Sequence, residues 1–254
     1  MTPAPIPPAA LDFILQMEGL YAALMQSANA SSHGELSLGG RLLYAGVLDA
    51  DSRALLVAGN IAGAASLAAT ADAAAQRQAI RDGVADFLVT SLDEALRILK
   101  NEIRKRETAA VCIAAAPEAV EREMRERGVL PDLLTRAVLP VARSGGSVMT
   151  WRVTAAPAQW LPKLDAIAGA CLQASTDPET TAAHRWLRLA PRYLGRLAQG
   201  LRLLHCQPQV AKEFVSRVED AFNRGEITVE VEIALGTSEQ VFRFHPPSSS
   251  MPHT

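Results

Sequence analysis

The chain has 254 residues, enough for one or two domains with sizeable cores. At 49% hydrophobic and 20% charged residues it reads as globular, and a net charge of −2 gives no electrostatic drive toward nucleic acid or an anionic membrane. No apolar run approaches the ~20 residues of a membrane span. Cys112, Cys171 and Cys206 are widely spaced, so neither a disulfide framework nor a Cys/His metal site is expected.

In chain order, residues 1–8 are proline-rich, and Leu11, Ile14, Leu15, Leu20, Leu24 and Met25 then recur at helical spacing. Together they make residues 1–35 a helical lead-in. Gly39 and Gly40 precede RLLYAGVL, a strand candidate, and ALLVAG (54–59) is read as a second strand. A helix is expected from Ile61 to Asp82, then a buried strand at VADFLV (84–89). SLDEALRILKNEIRKR (91–106) is a helix whose Ser91 and Glu94 form a capping box. AAVCIAAA (109–116) is an apolar strand, and PEAVEREMRERG follows as a helix with Pro117 at its start and Gly128 at its end. LPDLLT (130–135) closes this half as a short strand, and 136–147 reads as a linker.

Beyond the linker, VMTWRVTA reads as a strand, followed by helices over 157–173, 178–204 and about 208–224. ITVEVEIAL (227–235) alternates as a half-buried strand should, QVFRFH adds another, and the polar tail 246–254 is expected to be disordered. Strands and helices alternating in this way imply an α/β protein. A Rossmann-like parallel sheet with helices on both faces is expected at 36–140, and a smaller α+β portion at 148–245.

VAGNIAGAASLAAT (57–70) is laid out as a strand, a glycine-bearing turn and a helix start. Such a turn binds phosphate because glycines admit the ligand to the backbone and a helix N-terminus offers unpaired N–H groups. Its spacing is not G-x-G-x-x-G, and β-branched Val57 stands where the tight turn needs a glycine. Spacing alone therefore favours close helix–sheet packing. His205 and Cys206 are adjacent, so they point to different faces and form no obvious base–nucleophile pair.

Several stretches, in order, nevertheless resemble the urocanase (urocanate hydratase) family. VAGNIAGAASLAAT is similar to the family's glycine-rich NAD turn, TSLDEALRIL (90–99) to its T-S-L-D-E-A-L helix and RGVLPDLLT (127–135) to its R-G-V-x-P-D-L-x-T segment. AVCIAA (110–115), TWRVTAAP (150–157), HRWLRLA (184–190), QGLRLLHC (199–206) and RGEITVEVEI (224–233) are weaker counterparts. The resemblance implies NAD as cofactor, held by Gly59, Asn60, Ile61, Ala62 and Gly63, with Cys206 near the nicotinamide. In that family NAD acts as an electrophile that adds to the imidazole substrate before water does.

The departures matter as much. Val57 and Asn60 replace two loop glycines, and Ala64-Ala65-Ser66 replaces A-Q-P. The strand bearing a ribose-binding acid looks deleted, the family's D-Q-T-S-A-H-D-P after Thr135 is missing, and the chain is under half the usual length. The expectation is a truncated, degenerate, non-catalytic homologue that binds a dinucleotide or other small ligand, or regulates histidine breakdown. An active NAD-dependent hydratase acting on urocanate or a related imidazole acid is the alternative. The expected compartment is the cytoplasm, the expected partner a small molecule, with self-association left open.

Overall fold

A computed structural model describes residues 8–29, 37–134, 146–172, 178–195, 200–236 and 240–245. The expected tail, 246–254, and nearly all of the expected linker lie outside them. The chain divides into two compact units, Ile6–Arg143 with Arg192–Gly195, and Met1–Pro5 with Ser144–Pro191 and Arg196–Thr254.

The first unit begins with α1 (Pro8–Asn29), β1 (Leu42–Val47), α2 (Ala50–Ala62), β2 (Ala65–Ala69) and α3 (Ala73–Arg81). It continues with β3 (Phe87–Val89), α4 (Leu92–Lys105), β4 (Ala109–Ile113), α5 (Pro117–Glu126) and β5 (Leu133–Leu134). The strands form one parallel sheet in the order β3-β4-β2-β1-β5. The chain runs outward from β1 through β2, then returns to place β5 on β1's other side. That reversal makes the carboxyl ends of β1 and β5 the topological switch point, where open α/β sheets bind ligands.

Helices cover both faces of the sheet. Leu42, Tyr44, Leu67, Val111 and Ile113 pack with Leu92, Leu96 and Leu99 of α4 and Val120 and Met124 of α5. On the opposite face α2 lies against β1 and β2, with α1 packed on its outer side. The capping box forms as expected: Ser91 Oγ accepts from the Glu94 amide at 3.3 Å, and Glu94 reaches back to the Thr90 amide.

The first crossover differs from expectation. Residues 54–59 belong to helix α2, and β2 lies inside the span expected to be the helix 61–82. Leu55–Ala62 are buried on every side, since α2 is sandwiched between the sheet and α1. A helix buried all round shows no amphipathic period and reads like a strand. In β2, ASLAA carries three alanines, which are depleted in strands, so its composition points to helix.

The second unit holds an antiparallel sheet in the order β7-β6-β8-β9, built from β6 (Ser147–Val153), β7 (Leu201–Cys206), β8 (Val231–Leu235) and β9 (Gln240–Phe244). Its helices are α6 (Pro157–Leu172), α7 (Pro178–Leu194) and α8 (Pro208–Asn223). The helix expected over 178–204 ends at Leu194, and QGLRLLHC supplies β7 instead, entered through Gly200 at φ +79°. Trp151 is fully buried beside Phe214, and Asp165 accepts from both the Trp151 indole and the Arg202 guanidinium. Among the described residues no helix is long and apolar enough to cross a membrane.

Candidate dinucleotide site

Gly59, Asn60, Ile61, Ala62 and Gly63 occupy the last turn and carboxyl cap of α2. Gly63 adopts the left-handed conformation, φ 96°, and its amide bonds back to the Gly59 and Asn60 carbonyls. A helix carboxyl end presents carbonyl oxygens and the negative pole of the dipole, the opposite of a phosphate cradle. The turn expected at these residues is therefore corrected to a helix terminus.

Gly59 has a packing role. A Cβ built there would stand 2.6 Å from Leu43 Cδ2 and 3.1 Å from Ser66 Oγ, so its absence lets α2 approach β1 and β2. Asn60 is buried, and neither its amide nitrogen nor its amide oxygen has a hydrogen-bond partner; Ser66 Oγ is likewise unpartnered.

The strand–turn–helix that a dinucleotide fold uses lies upstream, from β1 through Gly46–Asp49 into α2. Gly46 has φ +77° and marks a bulge near the end of β1, just before the chain turns into α2. Aligned on Gly46, the second and third glycines of a G-x-G-x-x-G fingerprint are Leu48 and Asp51. Asp49 is the N-cap, and its Oδ1 accepts from the Ser52 amide at 2.9 Å. The helix terminus that would hold a pyrophosphate thus carries its own carboxylate, with Asp51 in the same first turn.

Asp72 corrects a second expectation. The second strand is present as β2, and Asp72 follows its carboxyl end by three residues, where a ribose-binding acid stands in this fold. Its Oδ1 caps α3 by accepting from the Ala74 amide at 2.7 Å. The signal for this arrangement is in the sequence: LLYAGV is a strand with a glycine at its penultimate position, and LDADS is a helix start with an Asp cap.

Cys206 ends β7, in the unit that does not contain the parallel sheet. It is 7% exposed, and burial, with Cys171 nearby, pushes its thiol up to about 12. A thiol so held stays protonated at neutral pH and is a poor nucleophile. Cys112, mid-strand in β4, is pushed up to about 11 by burial, consistent with an inert core thiol. No cluster of three or more metal-ligating side chains occurs among the described residues.

The NAD implied by the resemblance does not fit this turn. Asp49 caps the helix terminus that would receive the pyrophosphate, and with Asp51 in the same first turn it sets negative charge against that group. What remains is a Rossmann-like α/β domain with a topological switch point and an anion turn closed by its own cap. Residues 14–138 match the family model of the Urocanase Rossmann-like domain. The chain belongs to the urocanase family through this domain.

Proposed function

We propose that this urocanase-family chain is a non-catalytic homologue: it keeps the Rossmann-like sheet as a scaffold and does not hold NAD. One observation carries the reading, the Asp49 carboxylate seated on the Ser52 amide at the N-terminus of α2. Bound pyrophosphate would have to displace that carboxylate and then face it and Asp51 at close range, where like charges repel most strongly. The protonated Cys206 thiol supports the same conclusion, because it offers no reactive group to a substrate. The ligand class this leaves open at the switch point is a small molecule without a diphosphate.

The test is direct. The purified chain is denatured and the supernatant analysed for NAD, while the native chain is titrated with NAD by calorimetry and assayed for loss of urocanate absorbance. No released NAD, no binding heat and no urocanate turnover are expected. Stoichiometric NAD in the supernatant would overturn the proposal.

A further inference from the structure

Asn60 and Ser66 stand in the first crossover with polar atoms that the fold leaves unused. Asn60 is 1% exposed and Ser66 fully buried. Among the described residues, Asn60 Nδ2, Asn60 Oδ1 and Ser66 Oγ have no hydrogen-bond partner. Burying an amide or a hydroxyl without a partner is costly, so in folded proteins such groups are almost always bonded to protein or to water.

The two residues belong to one layer. Gly59 precedes Asn60 in α2 and faces Ser66, since a Cβ added there would stand 3.1 Å from Ser66 Oγ. Ser66 lies on the α2 side of β2, because its neighbours Ala65 and Leu67 point into the core beneath α4 and α5. Its register partner on β4 is Ala110, and Ala68 pairs with Cys112 two residues further along on the same side. Gly59, Ser66, Ala68, Ala110 and Cys112 are all small and all buried. They present less side-chain volume to α2 than Leu67, Val111 and Ile113 present to the opposite face.

The chemistry of the unpartnered atoms specifies the occupant. The amide oxygen only accepts, the amide nitrogen only donates, and the hydroxyl does both. Neither side chain carries a charge to attract an ion. Water meets the demand, with two protons to give and two lone pairs to receive, and it is small enough for an enclosed layer. From this we infer that the α2–β2 layer holds an internal water, bound by the Asn60 side-chain amide and the Ser66 hydroxyl. It ties the last turn of α2 to β2. Asn60, where the resemblance implies a cofactor contact, is then a hydration residue of the fold. This holds whether or not the turn at Gly46–Asp49 accepts a ligand.

A crystal structure of the full chain, at a resolution that shows ordered solvent, tests the site directly. A solvent peak is expected between α2 and β2, within about 3.2 Å of Ser66 Oγ and of an Asn60 amide atom. Stability gives a second reading by its sign. Removing a dry, unpartnered polar group raises the urea midpoint, whereas removing one ligand of a bound water lowers it. Ser66→Ala and Asn60→Leu should therefore each lower the midpoint followed by far-UV circular dichroism. Because they share the water, the double variant should fall by less than the sum of the single falls. No solvent peak at these side chains, a midpoint unchanged or raised in either single variant, or strictly additive falls would each overturn the inference.

Discussion

Replacing Gly59 by alanine separates a packing role from an open turn by the sign of the stability change. Glycine inside a helix is disfavoured relative to alanine by about 1 kcal/mol, so the substitution at an unconstrained helix position stabilises by that amount. At Gly59 the new methyl meets Leu43 Cδ2 at 2.6 Å and Ser66 Oγ at 3.1 Å. Leu43 is fully buried, so either its side chain changes rotamer within the core or α2 lifts from the sheet. Overpacking of this kind costs about 1–3 kcal/mol. The two terms leave a net destabilisation of up to about 2 kcal/mol, and Gly59→Val should be worse because a β-branched residue adds bulk without the full propensity gain. Urea denaturation followed by far-UV circular dichroism reads the difference directly. A Gly59→Ala chain more stable than wild type by about 1 kcal/mol would refute the close approach of α2 to β1.

Gly63→Ala should destabilise by about 1–2 kcal/mol in the same assay, because φ 96° is left-handed. Asp132→Ala removes the acceptor for the Leu42 amide at the start of β1 and should destabilise by about 1–3 kcal/mol, whereas Arg127→Ala, which breaks an exposed pairing with Asp93 and Glu123, should leave the urea midpoint unchanged. The Cys206 thiol is raised from an ordinary value near 9 to about 12, so the folded chain retains a proton that the unfolded chain loses. Its stabilising contribution is therefore complete below about pH 9 and falls as pH rises toward about 12, with a slope of at most about 1.4 kcal/mol per pH unit. Cys206→Ala should flatten the stability profile in that window, as measured by urea midpoints at stepped pH.

Much of the fold was legible, and where it was not the reason is physical. Ser91, Glu94 and Pro117 mark helix starts by local hydrogen bonding, so α4 and α5 could be placed from sequence. By contrast, α2 is enclosed on both sides and β2 is built of alanines, so periodicity and propensity fail together at the crossover that defines the site. The misplacement moved the anion turn from Gly46–Asp49 to Gly59–Gly63 and hid Asp72 inside a helix. Likewise LRLLHC, following a helix closely, was absorbed into it, although the Leu203 carbonyl in fact accepts from the Trp186 indole at 2.8 Å, on a strand.

The segments that carry the family likeness are those with structural work in this sheet. Asp93 of TSLDEAL pairs with Arg127 of RGVLPDLLT, linking the start of α4 to the chain after α5. Asp132 of the same segment accepts from the Leu42 amide at 2.7 Å, bringing the chain back to the root of β1 as β5 joins the sheet. The Asp132 contact lies at the amino end of β1, away from its carboxyl end, where a ligand would sit. The turn there is free to change without loosening the sheet, because Asp49 supplies to α2 the cap that a bound phosphate could otherwise provide. A cap built from the chain itself stabilises α2 with or without a ligand. On the proposed reading, the same carboxylate that completes the fold is the group that keeps NAD out.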